Sequence, residues 1–193
     1  MNKRGKIIII SGPSGSGKTT LYKKLLENPR IKRRIVKTVS ITTRLRRLGE
    51  KNGRDYFFVS LKDFLAKKKT DYFLESQKVF DNYYGTPVKA VHTLLHKGKN
   101  VLLCIDVKGA KVVCRKFPDA VRVFIKVPSM AVLKKRLESR GSENSKTVQL
   151  RLETARQELK EAKQYDYIVI NDELTHAYTL LEKIIFKELK AAH

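Results

Sequence analysis

The chain has 193 residues, 41% of them hydrophobic, and its 42 Lys and Arg against 19 Asp and Glu give a formal net charge of +23. This length and composition predict one compact domain with a buried core. No apolar run reaches the roughly 20 residues that a membrane span needs. The charge favours anionic ligands, but the basic residues are scattered along the chain, so we expect no specific nucleic-acid binding.

The N-terminal segment and the cysteines indicate the compartment. The apolar run KIIII at 6–10 is shorter than a signal-peptide core, and a glycine-rich loop follows it rather than a cleavage-type segment. Cys104 and Cys114 have neither metal-ligand spacing nor partner histidines, so we expect reduced thiols. These features predict a cytoplasmic protein that does not associate with membranes. They leave open whether it is a monomer or a homodimer.

In chain order, apolar β-branched runs alternate with segments of helical spacing. The runs predict strands at 6–10, 34–40, 101–106, 121–127 and 165–171. Helices are expected at 19–26, 88–97, 129–140, 146–163 and at the end of the chain. This alternation predicts βαβ units and a parallel sheet. Residues 40–87 break it with short aromatic-rich strands and a small helix at 61–68, so we interpret them as an inserted subdomain.

The first strand leads into the pattern G-x-x-x-x-G-K-[ST]. The pattern is filled by Gly12, Pro13, Ser14, Gly15, Ser16, Gly17, Lys18 and Thr19, with Thr20 next to it. Its glycines let successive N–H groups form an anion nest, and the positive end of the following helix points to the same place. In this pattern Lys18 reaches the β- and γ-phosphates and the Thr19 hydroxyl ligates Mg²⁺. We therefore predict a nucleoside triphosphate site with Mg²⁺ as cofactor.

A second anion site is indicated by the stretch SITTRLRRLGEKNGRDYFF at 40–58. Arg44 and Arg47 could hold a phosphate, because the planar guanidinium matches its oxygens. Gly49 and Gly53 would let the loop fold back and bring Tyr56 to the same group. From these residues alone, a solvated basic loop remains the alternative.

The sequence resembles the guanylate kinase family over nearly its whole length. The matching segments are SGPSGSGKTT (11–20), SITTRLRRLGEKNGRDY (40–56), FLE (73–75), NYYGT (82–86), IDVKG (105–109), RLESRG (136–141) and IVIND (168–172). The resemblance implies an α/β fold of the P-loop NTPase type, with a parallel sheet and helices on both faces. Its implied parts are a core (1–39, 88–131 and 160–193), a small mixed GMP-binding insert (40–87) and a mobile helical lid (132–159).

The resemblance also implies roles for individual residues. The GMP phosphate would be held by Arg44, Arg47, Tyr56 and Tyr84. The guanine ring would be held by Ser40, Glu75, Thr86 and Asp106. Carboxylates suit the N1 and N2 donors of guanine, and hydroxyls can serve O6 and N7. The transferred phosphoryl group would be met by Arg136, Arg140 and Arg151, and Asn171 would lie near the adenine of ATP. The expected catalytic residues are these three arginines together with Lys18 and Arg44.

One departure from the family pattern concerns the metal. The family usually has D-I-D where this chain has Cys104-Ile105-Asp106, so an acid at the end of a strand is replaced by a thiol. The resemblance implies ATP:GMP phosphotransfer, with dGMP as a further acceptor. The alternatives are a catalytically weak guanylate-kinase-like module that binds nucleotide or protein, and a basic RNA- or membrane-associated protein that keeps the nucleotide fold. The intact phosphate loop argues against the first alternative.

Overall fold

A computed structural model describes residues 4–139 and 145–190. The described residues fall into two compact units. The first contains Val36–Leu103, Lys108–Ala120 and the described residues up to Ile7, and the second contains Ile8–Ile35, Cys104–Val107 and the described residues from Val121 onward. Within the described ranges, no helix combines the length and apolarity needed to cross a membrane.

Helices and strands alternate over most of the described chain. The helices are α1 (Lys18–Glu27), α2 (Pro29–Lys32), α3 (Leu61–Lys68), α4 (Val88–His96), α5 (Val107–Lys116), α6 (Met130–Glu138), α7 (Ser145–Lys160) and α8 (Leu174–Lys190). The strands are β1 (Ile7–Ser11), β2 (Ile35–Lys37), β3 (Ile41–Thr42), β4 (Phe57–Phe58), β5 (Phe73–Val79), β6 (Asn82–Pro87), β7 (Asn100–Cys104), β8 (Val121–Lys126) and β9 (Tyr167–Ile170).

Among the described residues, five strands form a parallel sheet flanked by helices, in the order β2-β7-β1-β8-β9. In the second unit, Ile8 pairs with Val121 and Val123 pairs with Tyr167. All five residues of β1 are buried, as expected of a strand that is covered on both faces. The predicted α/β fold with a parallel sheet is therefore confirmed.

The first unit contains a four-stranded sheet in the order β4-β3-β6-β5. It is mixed, because β3 pairs parallel with β4 and antiparallel with β6. The fully buried ring of Phe64, from α3, stacks on Phe73 at a centroid distance of 4.6 Å. The ring of Tyr83 lies 5.4 Å from Phe64 on the same sheet. This aromatic packing fixes α3 against the strands that carry the predicted GMP-binding residues.

Two helices were not predicted from the sequence. α2 is a single turn that begins with Pro29 after an Asn28 cap, whose side chain accepts the Arg30 N–H. α5 connects β7 to β8, and its first residue, Val107, packs against Phe124. The sequence VKGAKVVCRK of α5 has a glycine and paired β-branched residues, both of which lower helix propensity. Tertiary packing therefore determines this helix.

Candidate active site

The phosphate loop lies between β1 and α1 in the second unit. Its turn is closed by the Ser16 N–H, which donates to the Pro13 carbonyl at 3.1 Å. The Lys18 ammonium donates to the carbonyl oxygens of Gly12 and, at 2.7 Å, Pro13. Thr19 and Thr20, in the first turn of α1, are exposed. The lysine thus lies across the loop, where it can reach phosphate oxygens bound there.

Asn171, just after β9, supports the phosphate loop through a side-chain hydrogen bond. Its buried side chain donates a hydrogen bond to the Ser16 carbonyl at 2.7 Å. Its backbone N–H donates to the Lys126 carbonyl, which anchors the residue to β8. Gly17 has φ +88°, and a Cβ on it would lie 2.1 Å from the Asn171 amide nitrogen. The requirement for glycine here therefore comes from both the backbone conformation and the close approach of Asn171.

Arg136 and Arg151, two of the predicted catalytic arginines, contact groups of the second unit, to which they belong. The Arg151 guanidinium donates to the Ser14 hydroxyl, inside the phosphate loop, at 2.9 Å. The Arg136 guanidinium donates to the Asn171 carbonyl, also at 2.9 Å. Both cations are therefore held beside the loop that they would serve. Arg140, the third predicted arginine, lies outside the described residues.

The strand register of the first unit brings two predicted guanine-binding residues together. Glu75 on β5 is the direct cross-strand partner of Thr86 on β6. The Thr86 hydroxyl donates to Glu75 Oε1 at 2.6 Å, and both residues are buried. A buried carboxylate oriented by a hydroxyl can accept hydrogen bonds from a ligand that offers adjacent N–H groups.

The other two predicted guanine-binding residues lie in different units. Ser40 is half-buried in the first unit, just before β3, and its carbonyl accepts the Phe57 N–H at 2.9 Å. Asp106 is half-buried in the second unit. It follows Ile105, whose N–H donates to the Ile10 carbonyl and whose carbonyl accepts the Ser11 hydroxyl at 2.8 Å. Asp106 is thereby anchored next to the strand that leads into the phosphate loop.

Arg44 and two tyrosines form a cluster at the end of β3. Thr42 pairs with Tyr84 across the sheet, so Arg44 emerges two residues beyond that pair. The Arg44 guanidinium carbon lies 5.6 Å from the centre of the Tyr56 ring, and the rings of Tyr56 and Tyr84 are 5.9 Å apart. Three of the four predicted phosphate-binding side chains therefore converge, as the folding back of this loop predicts.

A carboxylate that was not predicted as a site residue holds this cluster. Arg44 Nη2 lies 2.8 Å and 3.0 Å from the two carboxylate oxygens of Glu50. Glu50 Oε2 also accepts the backbone N–H of Arg47 at 2.9 Å. The Arg47 side chain is exposed, so its backbone is fixed while its charge faces solvent.

The Arg44–Glu50 pair shifts the pKa of both groups. Burial alone would lower the pKa of Arg44, but its hydrogen bond to Glu50 and the nearby Tyr84 and Glu50 oxygens raise it above the ordinary value. Burial alone would raise the pKa of Glu50, but the donors of Arg44 and Arg47 outweigh it, so this pKa lies below the usual 4.5. Both groups are therefore ionised at neutral pH.

The predicted Mg²⁺ would draw most of its ligands from substrate phosphates and water. The described residues contain no group of three or more His, Cys, Asp or Glu side chains that could cage a metal ion. Mg²⁺ commonly binds through one or two protein ligands together with phosphate oxygens and waters. The exposed Thr19 hydroxyl, at the start of α1, is suited to be such a ligand. Half-buried Cys104, at the end of β7, has a thiol where a carboxylate could have supported the hydration shell.

A glycine-rich loop between a buried strand and a helix, in a parallel α/β sheet, is typical of P-loop nucleotide-binding proteins. The family model described as "Guanylate kinase" matches residues 4–188. A guanylate kinase of Latilactobacillus sakei is 42% identical over 188 residues, which cover 97% of this chain and 92% of that protein. The chain therefore belongs to the guanylate kinase family, the ATP:GMP phosphotransferases.

Solved structures agree with this assignment. The crystal structure of guanylate kinase from Anaplasma phagocytophilum matches 97% of this chain and 87% of that chain, with a TM-score of 0.79 and 34% identity. A Thermus thermophilus crystal structure, with 15% identity and a TM-score of 0.55, covers 97% of this chain and 99% of that one. At that identity the second similarity shows the fold alone.

The contact between Asn171 and the phosphate loop generates the first prediction. Asn171→Ala removes the donor to the Ser16 carbonyl, and a buried acceptor left unsatisfied costs about 1–3 kcal/mol. We expect the KM for ATP to rise about tenfold, since 1.4 kcal/mol corresponds to a factor of ten. The KM for GMP should change little. Steady-state kinetics with each substrate varied in turn provide the measurement.

Asn100→Ala is the matched control. Asn100 is also buried, and its side chain accepts the Lys6 N–H at 2.9 Å, but it belongs to the first unit, whereas the phosphate loop belongs to the second. It should lower the melting temperature without raising the KM for ATP. Equal effects of the two variants on that KM would contradict a specific role of Asn171 at the loop.

Proposed function

We propose that the acceptor nucleotide binds on the four-stranded sheet of the first unit, with its phosphate at Arg44, Arg47, Tyr56 and Tyr84 and its base at Glu75, Thr86 and Ser40. The observation that carries this proposal is the β5–β6 register, which buries Glu75 against Thr86 on the sheet that also carries Tyr84. Asp106, in the second unit, stays a prediction from the sequence as a further guanine-binding residue.

A buried carboxylate explains the choice of guanine. GMP and dGMP present an N1–H and an N2 amino group, both of which a carboxylate accepts. Adenine has no N1–H, so AMP would leave buried Glu75 desolvated and without its ligand partner. Sites that hydrogen-bond a polar group reject analogues that lack it far more strongly than apolar pockets do.

On the donor side, ATP would bind at the phosphate loop of residues 12–20. Lys18 would exchange its bonds to loop carbonyls for β- and γ-phosphate oxygens, and Asn171 would support the loop near the adenine. Arg136 and Arg151 would spread the charge of the phosphoryl group during transfer. Because phosphoryl transfer depends on positioning and charge neutralisation, we assign no general base.

Mg²⁺ would bind at the Thr19 hydroxyl together with phosphate oxygens, and it would supply neutralisation of the phosphate charge. This chain's own contribution is the short first turn of α1, which presents Thr19 next to Lys18. Asp106 lies two residues beyond Cys104 and would be the nearest carboxylate along the chain to support the hydration shell.

A guanylate-kinase-like module that only binds nucleotide or protein is the alternative reading. Such a module has no need of a complete phosphate loop. In this chain Lys18 donates to a loop carbonyl, Asn171 to the Ser16 carbonyl and Arg151 to the Ser14 hydroxyl. These contacts favour catalysis, and the experiments below separate the two functions.

Acceptor selectivity is the direct test of the proposed base site. A coupled assay for ADP release should show turnover with GMP and dGMP and at least about 10³-fold lower kcat/KM with AMP, CMP or UMP. Comparable turnover of AMP would contradict the base site. Absence of ADP release with every monophosphate, by a protein that binds GMP, would instead support the binding module.

The proposed phosphate site is tested by Arg44→Ala. Losing a charge-assisted hydrogen bond costs about 1.5–3 kcal/mol, so the KM for GMP should rise and kcat should fall. Binding of guanosine, which has no phosphate, should hardly change in titration calorimetry. If guanosine and GMP are weakened equally, Arg44 does not recognise the phosphate.

The thiol at the end of β7 generates a prediction about the metal. A thiol is a poor hydrogen-bond acceptor, and loss of support around a metal typically costs about 10–100-fold in affinity or activity. Cys104→Asp should therefore lower the Mg²⁺ concentration for half-maximal rate or raise kcat. Half-burial of Cys104 also suggests a packing role, for which the new carboxylate would lower the melting temperature. A destabilised variant with an unchanged Mg²⁺ response would support packing alone.

A further inference from the structure

The loop between β3 and β4 contains a carboxylate whose partners are both phosphate-site arginines. The Glu50 carboxylate contacts Arg44 Nη2 through both oxygens, at 2.8 Å and 3.0 Å. One of these oxygens, Oε2, also accepts the Arg47 N–H at 2.9 Å. The side chains of Arg44 and Glu50 are only 12% and 19% exposed. This pair is therefore shielded from water more than a typical surface ion pair, which contributes little.

A tight turn places Glu50 in this position. The Glu50 N–H donates to the Arg47 carbonyl at 3.2 Å, which closes a turn over residues 47–50. Gly49 has φ +79°, and a Cβ built on it would meet nothing within 4 Å. The glycine is thus required for its left-handed backbone conformation and not for space. The turn directs the chain back so that the carboxylate faces the arginine six residues earlier.

The bonds to Glu50 leave part of Arg44 available to a ligand. A guanidinium carries five N–H donors. Glu50 takes the Nη2 end, and the Leu45 carbonyl accepts from Nη1 at 2.6 Å. Tyr84 also forms a side-chain hydrogen bond with Arg44, and the donors left beyond these contacts can bind phosphate oxygens while the guanidinium stays in place. The Arg44 guanidinium carbon also lies 5.6 Å and 5.8 Å from the ring centres of Tyr56 and Phe58, and these contacts restrain the plane of the guanidinium.

Electrostatics give a second reason for a carboxylate here. Arg44, Arg46 and Arg47 lie within four consecutive positions, and the Lys37 ammonium is 6.0 Å from the same Tyr56 ring that Arg44 faces. Like charges at such distances repel. Without a counter-charge, Arg44 would lower its energy by turning toward solvent. Glu50 opposes this repulsion inside the loop before any phosphate arrives.

We propose that Glu50 is a positioning residue for phosphoryl acceptance: it holds the Arg44 guanidinium and the Arg47 backbone in the geometry that receives the monophosphate of GMP. This proposal rests on the proposed role of Arg44 and Arg47 at that phosphate. Glu50 does not touch the nucleotide itself. It acts through the two arginines, by orienting one side chain and fixing the backbone of the other.

Glu50→Gln tests the proposal with little change in shape. The amide keeps an acceptor oxygen but loses the charge and one of the two oxygens that receive donors. We expect kcat/KM for GMP to fall about 10–100-fold, which corresponds to about 1.4–2.8 kcal/mol. The KM for ATP and the affinity for guanosine, measured by calorimetry, should stay within about twofold of wild type.

Asp166→Asn is the matched control. Asp166 also binds one arginine through two oxygens, with Arg122 Nη2 at 2.7 Å and Nε at 3.1 Å, and it also accepts a backbone N–H, that of Arg122. This pair lies in the second unit, and neither residue belongs to the proposed site. Asp166→Asn should leave kcat/KM for GMP unchanged. An equal loss of kcat/KM for GMP in both variants would overturn the proposal.

Two further outcomes would overturn it. A lower KM for GMP in Glu50→Gln would mean that Glu50 competes with the phosphate for Arg44. Equal weakening of GMP, guanosine and ATP would mean that Glu50 only stabilises the fold. If a thermal melt shows that Glu50→Gln does not fold, Glu50→Asp replaces it. We expect Glu50→Asp to lower kcat/KM for GMP by a smaller factor, without weakening guanosine or ATP. An unchanged kcat/KM for GMP in that variant would contradict the role of Glu50.

Arg44→Ala separates this proposal from the one on which it depends. If Arg44→Ala impairs GMP use and Glu50→Gln does not, the phosphate site stands and the role of Glu50 is wrong. If neither variant affects GMP use, the phosphate site itself is wrong.

Discussion

Repulsion between cations is the constraint on which both proposed phosphate sites of this protein depend. A site for phosphate needs concentrated positive charge, and that charge must also be held when no phosphate is bound. The chain meets this need with acceptors of its own. Lys18 donates to carbonyls of the phosphate loop, Arg151 to the Ser14 hydroxyl and Arg44 to the Glu50 carboxylate. The Arg44 acceptor is a full counter-charge, which fits the place of Arg44 in a segment with three arginines in four positions.

The features that could be predicted from the sequence are those set by local pattern. Buried β-branched runs and the glycine-rich loop identify the parallel sheet and the phosphate site, because few other structures tolerate those residues in that order. Gly49 and Gly53 were expected to turn the arginine loop back, and both have a positive φ, at 79° and 75°. The grouping of Arg44 with Tyr56 follows from that turn.

The features that could not be predicted depend on the turn geometry, on side-chain partners distant in sequence, or on tertiary packing that overrides local propensity. From the sequence, Glu50 is indistinguishable from an ordinary surface acid, and the turn geometry is needed to show that it faces Arg44. The bond from Asn171 to Ser16 joins residues 155 positions apart, so no local pattern indicates it. Helix α5 was missed because its glycine and β-branched residues disfavour a helix that tertiary packing nevertheless forms.

The central claim is that a carboxylate holds the proposed phosphate-binding arginine in position. A double-mutant cycle on Arg44 and Glu50 tests this claim most directly. The cycle compares kcat/KM for GMP in wild type, Arg44→Ala, Glu50→Gln and the double variant. If Glu50 acts through Arg44, its substitution should have little further effect once Arg44 is absent, giving a coupling free energy of about 1–3 kcal/mol. Strictly additive losses would show that the two residues act independently and would contradict the account.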